Sequence, residues 1–134
     1  MLTHCVLTGN KAIKGGGVYG GLLNSCTLTG NRVEGQEMGS SVGYGGGAYG
    51  STLNDCQLIG NSALVSGGGA DGSTLNRCRL HNNTSGFEGG GSYGGTLNSC
   101  LVISNSAGYA GGSYGGTLNN CTMVGNAAGG IWKG

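Results

Sequence analysis

Residues 53–63 read LNDCQLIGNSA, and variants of this segment occur six times along the 134-residue chain. Each copy has a cysteine, an apolar residue (usually leucine) three before it and another two after it, and an asparagine five after it. The cysteines that set this phase are Cys5, Cys26, Cys56, Cys78, Cys100 and Cys121. Their spacings of 21, 30, 22, 22 and 21 residues identify an internal repeat, and periods of this length are typical of solenoid proteins.

Each copy also shows the pattern of short strands around a narrow core. Cys56 and Leu58 share one face of a strand because side chains alternate along it. Leu53 is out of that phase, so we expect a bend at Asn54 and a second bend at Asn61. A coil of about 21 residues cannot bury its apolar side alone, so coils must stack to form a core.

Glycine-rich blocks recur at a fixed phase between the copies. They are Gly15–Gly17, Gly45–Gly47, Gly67–Gly69, Gly89–Gly91 and Ala110–Gly112. The chain has 34 glycines and no proline, which disfavours helices, and it lacks the Gly-X-Y period of collagen. G-x-G-x-x-G patterns within the blocks are not followed by a helical pattern, so we interpret them as tight turns and not as a dinucleotide site. The sequence therefore predicts an all-β fold, a single-stranded parallel β-helix (β-solenoid) of about six coils, right-handed by the usual crossover rule.

Composition excludes several function classes. The net charge is +1 and only 8% of residues are charged, so neither nucleic acid nor an acidic membrane surface is an expected partner. No apolar run approaches the roughly 18 residues of a membrane span, and the first residues lack a signal-peptide pattern. Residues 1–134 form one repeat domain in which Gly134 would be followed in phase by Met1. We expect either a fragment of a longer solenoid or a unit that stacks end to end with copies of itself.

The repeat also supports a family resemblance. The unit Leu58-x-x-Asn61-x-Ala63, followed by Gly67–Gly69 and a small residue, covers nearly the whole chain with variations. It resembles the repeats of right-handed parallel β-helix proteins, in particular polymorphic outer-membrane and autotransporter-like surface proteins, with leucine in place of the phenylalanine of F-x-x-N. The resemblance implies a secreted or bacterial cell-surface β-helix with a non-catalytic structural or adhesive role. Pectate lyases and phage tailspikes share this architecture, so a carbohydrate-binding or polysaccharide-cleaving module is the alternative.

The cysteines and the asparagines of the repeat are predicted to be structural. Inward cysteines alternating with leucines are typical of buried free thiols, although six cysteines in a secreted chain could also form disulfides. There is no C-x-x-C pair, so no metal is expected, and nothing in the sequence suggests a cofactor. Stacked asparagines can hydrogen-bond along the solenoid axis and satisfy the backbone of turns.

An aromatic column is predicted four residues after the start of each glycine block. Its members are Tyr19, Tyr49, Asp71, Tyr93 and Tyr114, with Asp71 interrupting the series. Trp132 is the sixth member, because the tail segment Ala128–Gly130 repeats the pattern of the glycine blocks. Such rings can stack on each other, or they can bind a glycan or a host surface. Both interpretations stay open at this level.

The second coil is nine residues longer than the first, 30 against 21. The extra segment, around residues 33–44, contains Glu34, Glu37 and Tyr44. Insertions in solenoids form loops that often serve binding, and neutral drift is the alternative.

The acidic residues lie in different phases of the repeat, so no catalytic pair is predicted. Asp55 and Arg77 each precede a cysteine and should form an axial ion pair.

Finally, Thr-Leu-Asn recurs at residues 52–54, 74–76, 96–98 and 117–119. If threonine and asparagine both face outward, they form a flat polar array like that of ice-binding solenoids, a minor alternative that competes with the use of asparagine at the bend.

Overall fold

Strands of two or three residues follow one another along the chain, in a computed structural model that describes residues 1–34 and 43–128. They form four parallel sheets, numbered here by their order within a coil. Sheet I contains Leu2–Thr3, Leu22–Asn24, Thr52–Asn54, Thr74–Asn76, Thr96–Asn98 and Thr117–Asn119. Sheet II contains Val6–Thr8, Thr27–Thr29, Gln57–Ile59, Arg79–His81, Leu101–Ile103 and Thr122–Val124. Sheet III contains Lys11–Ala12, Arg32–Val33, Ser62–Ala63, Thr84–Ser85, Ser106–Ala107 and Ala127–Ala128. Sheet IV contains Val18–Tyr19, Ala48–Tyr49, Ala70–Asp71, Ser92–Tyr93 and Ser113–Tyr114.

Every strand pairs with the equivalent strand of a neighbouring coil, in parallel and in register. In sheet II, for example, Leu58 lies opposite Leu28 on one side and Leu80 on the other. The chain is therefore a parallel β-solenoid, as the repeat predicted. It completes about five turns, slightly fewer than the six expected coils, because the sixth copy contributes only three strands to the described residues.

The narrow core consists of the residues that the repeat placed inward. It contains Leu23, Leu53, Leu75, Leu97, Leu28, Leu58, Leu80, Val102, Ala48, Ala70 and the thiols of Cys26, Cys56, Cys78 and Cys100. Cys5 and Cys121, in the outermost described coils, are only partly buried. The predicted inward cysteine ladder is thus confirmed.

The first bend of each coil lies one residue later than expected. The residue directly before each cysteine has φ between +51° and +54°, and Asp55 is one example. Asn54 is instead the last residue of a strand. Because the left-handed Asp55 interrupts the alternation of side chains, Leu53 and Cys56 both point inward while Asn54 points outward. The prediction of a bend at Asn54 is therefore wrong by one residue. The second bend likewise lies just before the inner asparagine, where Gly60 has φ +62°.

Asparagines form two hydrogen-bonded ladders. The inner ladder contains Asn31, Asn61, Asn83 and Asn105, which are wholly buried. In it, Asn83 Nδ2 donates to Asn105 Oδ1 at 2.9 Å and to the Leu58 carbonyl at 2.9 Å. The outer ladder joins Asn24, Asn54, Asn76, Asn98 and Asn119 through hydrogen bonds of 2.7–2.9 Å from Nδ2 of one side chain to Oδ1 of the next. The inner ladder confirms the prediction that stacked asparagines hydrogen-bond along the axis. The asparagines of the outer ladder were predicted to be turn residues, and they instead lie at the ends of strands.

The glycine blocks allow the closest backbone contacts in the stack. A Cβ atom on Gly68 would collide with the carbonyl oxygens of Thr84 and Gly90, so a side chain does not fit there. The first residue of each block has a positive φ, which is +63° at Gly67. In the last block that position is occupied by Ala110, with φ +45°.

Candidate functional site along the tyrosine column

Four tyrosines stand in register on the outer face of sheet IV and stack in two pairs. The rings of Tyr19 and Tyr49 have centroids 5.2 Å apart, and those of Tyr93 and Tyr114 have centroids 5.6 Å apart. Parallel pairing aligns each pair across neighbouring coils. The predicted stacking is confirmed for these four residues, and Trp132 lies outside the described residues.

Asp71 separates the two pairs. It lies opposite Tyr49 on one side and Tyr93 on the other. Since a carboxylate is much shorter than a phenol ring, space remains where a fifth ring would stand. A cleft of about 380 Å³ opens at this point, and its lining includes Tyr44, Tyr49, Ser66, Asp71, Glu88 and Tyr93. We call it the Asp71 cleft.

The carboxylate of Asp71 is itself buried, with 8% of the residue exposed. Its Oδ2 accepts a hydrogen bond from Ser66 Oγ at 2.5 Å. Burial raises the pKa of Asp71 because it disfavours the charged form, and the Ser66 bond and the positive charge of Lys14 oppose this effect. The cleft therefore has an acid in its wall that would gain from an additional cationic partner.

A second column of residues reaches the cleft from the position directly before each glycine block. Its members, Lys14, Tyr44, Ser66, Glu88 and Tyr109, pair through single β-bridges. This column brings Glu88 and Tyr44 to the cleft that contains Asp71. Glu88 was not among the predicted site residues. Its constant position before a glycine block was the signal that could have identified it.

Both a positive and a negative side chain act on the tyrosines around the cleft. Lys14 Nζ lies 5.4 Å from the ring centroid of Tyr49 and 5.7 Å from that of Tyr44, within cation–π range. On the other side, the pKa of Tyr93 is raised, chiefly by the negative charge of Glu88. The tyrosine faces thus already attract one cation from the chain itself.

The structure describes two of the three residues predicted as contacts in the long second coil. Glu34 makes ion pairs with Lys11 at 3.3 Å and Arg32 at 3.2 Å, beside sheet III. Tyr44, in contrast, lines the Asp71 cleft. Glu37 lies outside the described residues. Residues 35–42 of the predicted contact loop lie outside the described residues, so a contact site in this loop stays a prediction.

The predicted ion pair between Asp55 and Arg77 is confirmed. Arg77 donates from Nε to Oδ1 at 2.8 Å and from Nη2 to Oδ2 at 2.9 Å. The Arg77 guanidinium lowers the pKa of Asp55 through these bonds. Both side chains are exposed to solvent, so the pair contributes little to stability.

Sheet I carries a regular polar array on its outer face. Thr74 lies opposite Thr52 and Thr96, while the neighbouring Asn76 lies opposite Asn54 and Asn98. Both side chains face outward because the leucine between them is buried. Since the bend lies at the next residue, the turn does not account for the asparagine column.

Comparisons with protein-family models, curated proteins and solved structures found no match. The resemblance to autotransporter-like surface proteins thus depends on the repeat motifs alone.

Within residues 1–34 and 43–128 there is neither a helix able to cross a membrane nor a group of three potential metal ligands.

Proposed function

We propose that the chain is a non-catalytic structural or adhesive β-solenoid of a secreted or bacterial cell-surface protein. The observation that carries this proposal is the in-register parallel pairing, which continues through every described coil. Buried asparagine amides hydrogen-bond between successive coils along the axis. Such a stack is a rigid spacer that presents the same outer faces repeatedly, which is what a stalk or an adhesive surface requires.

The tyrosine column is the proposed adhesive face. Tyr19 is 67% exposed and Tyr114 is 41% exposed. Aromatic side chains are enriched in interfaces because each offers a large apolar face with a polar hydroxyl. A glycan or a host-surface protein is the proposed partner, and a second copy of the chain stacked end to end is another. Light scattering over a range of concentrations tests whether copies of the chain associate end to end.

A glycan array with the labelled chain tests the adhesive face. We expect saturable binding that the double substitution Tyr93→Ser and Tyr114→Ser abolishes. The double substitution Val6→Ser and Val124→Ser is the matched control, because both are exposed apolar residues of sheet II, outside the two columns. Equal loss of binding in the control would contradict a role for the column. Turnover of any polysaccharide that D71N or E88Q abolishes would overturn the non-catalytic proposal and favour the polysaccharide-cleaving alternative.

Ice binding is a second candidate, favoured by the threonine and asparagine columns of sheet I. Regular hydroxyl and amide groups on a flat sheet can order water in a repeating lattice. A thermal-hysteresis assay tests this function. Activity that is lost in Thr74→Lys and kept in Arg79→Lys, on sheet II, would support it, and the absence of hysteresis would exclude it.

A further inference from the structure

We propose that the Asp71 cleft binds a guanidinium group, as presented by an arginine side chain of a protein partner. The inference deepens the proposed adhesive function by naming the chemistry of one partner, and it rests on that function for the source of the arginine. The cleft itself is defined by geometry. Its walls are aromatic, its inner surface holds a buried carboxylate, and a second carboxylate lines it.

The distance between the walls fits one flat group. Stacked tyrosines in neighbouring coils have ring centroids 5.2 Å and 5.6 Å apart. Tyr49 and Tyr93 lie two coils apart, with Asp71 between them. Since parallel strands are about 4.8 Å apart, the two positions are separated by roughly 10 Å. A planar group midway would lie about 5 Å from each ring, within the roughly 6 Å range of cation–π contacts.

The charges of the cleft select a cation. Asp71 and Glu88 both line it, and the buried Asp71 carboxylate has a side-chain hydrogen bond from Ser66 at Oδ2. An ionised carboxylate has about four acceptor sites, so Asp71 keeps capacity for a ligand. Lys14 shows that a tyrosine of the column can accept a cation, because its ammonium lies 5.4 Å from the ring centroid of Tyr49.

Among biological cations, the guanidinium group matches both features. It is planar and stacks on aromatic faces, and its N–H groups form a fork that pairs with a carboxylate. A lysine ammonium supplies the charge without the flat shape. A neutral sugar supplies a stacking face without the charge.

A structural explanation of Asp71 makes a different prediction. If Asp71 only fills a position in the column, replacing it with tyrosine should complete the column with no loss of function. If it forms a site, the same substitution fills the cleft and removes binding. Asp71→Tyr is suitable for this test because tyrosine occupies the equivalent position in the coils on both sides.

The test is a titration of the whole chain with N-acetyl-arginine methylamide. Binding is measured by calorimetry and by the shifts of tyrosine ring signals in NMR. We expect saturable binding with a Kd of about 1 mM, reasonable for one side chain, and shifts at Tyr49 and Tyr93. The citrulline analogue is planar but neutral, and the lysine analogue is charged but not planar. Both should bind at least tenfold more weakly.

Variants locate the site. D71Y should abolish binding and D71N should weaken it at least tenfold, with circular dichroism verifying the fold of each. E34Q is the control, because it removes an acid that pairs with Lys11 and Arg32 away from the cleft, and its affinity should be unchanged.

Several outcomes would overturn the proposal. They are equal affinity for the citrulline analogue, wild-type affinity in folded D71Y, or saturation by methyl glucoside without saturation by the arginine probe. Tighter binding of free L-arginine than of the capped probe would overturn the protein source of the ligand. A negative glycan array together with arginine binding leaves this inference intact. Glycan binding without arginine binding refutes it and leaves the adhesive function intact.

Discussion

Asn83 donates its side-chain amide to the Oδ1 atom of Asn105 across 2.9 Å, and both residues are wholly buried. The Oδ1 of Asn83 in turn accepts from the backbone N–H of Asn61 at 2.9 Å and from its Nδ2 at 3.0 Å. In the described part of the chain, each coil is thus tied to the next by such bonds. Those between Asn31 and Asn105 lie in the buried interior, where water cannot replace them.

Replacing Asn83 by alanine should therefore destabilise the solenoid strongly. The change leaves donors of Asn61 and the Leu58 carbonyl without their partner, and each buried unsatisfied group costs about 1–3 kcal/mol. We expect a loss of at least about 3 kcal/mol in the free energy of unfolding, measured in urea. Asn76→Ala in the partly exposed outer ladder is the control, with an expected loss of about 1 kcal/mol. Equal losses would contradict the distinct role of the inner ladder.

Ala110→Gly should stabilise the chain. Ala110 has φ +45°, where the equivalent residues of the other blocks are glycines. A left-handed backbone conformation costs a residue with a Cβ atom about 1–2 kcal/mol, and glycine avoids this cost. Part of that gain is offset because glycine has greater conformational freedom in the unfolded chain. A gain of about 0.5–1 kcal/mol is expected in chemical denaturation. The reverse change, Gly67→Ala, should destabilise by more, because its Cβ would also collide with the Ala70 carbonyl. A destabilised A110G would refute the reasoning.

Asp71 should make stability depend on pH. Its pKa in the folded chain is raised above the ordinary value of 3.8, chiefly by burial. The folded state therefore binds this proton more tightly than the unfolded state does. The resulting stabilisation is fully present below the unfolded pKa and is lost as pH rises through the folded pKa. Comparing Tm between wild type and D71N from pH 3 to pH 7 isolates this effect. We expect wild type to lose stability relative to D71N as pH rises, and a relative gain would contradict it.

The cysteines should react according to their burial. A reagent must reach a thiol to modify it, and Cys26, Cys56, Cys78 and Cys100 are each at most 2% exposed. In the native chain, iodoacetamide should modify the partly buried Cys5 and Cys121 before the four buried cysteines. After unfolding without reductant, mass spectrometry should find six labels. Three missing pairs of labels would show disulfides and contradict the free-thiol prediction.

The core and its register follow directly from the repeat. Because a coil cannot bury its own apolar side, Leu53, Cys56 and Leu58 had to meet their equivalents in neighbouring coils, and this requirement predicted the parallel stack. The pairing of Asp55 with Arg77 followed from the same register. The position of the first bend did not, since the left-handed residues there have no common chemistry. They are His4, Ser25, Asp55, Arg77, Ser99 and Asn120. The adjacent asparagines have the stronger turn preference, and for that reason they misled the prediction.

The period, the inward residues and the aromatic column were determined by the order of amino acids, because axial neighbours in a solenoid are residues at equal phase. The cleft was decided by the tertiary structure. Asp71 and Glu88 belong to different coils and different phases, and they share a cleft only because a turn at the glycine block folds one column against the other. Phase predicts contacts along the axis, whereas contacts around the coil depend on backbone angles at the corners.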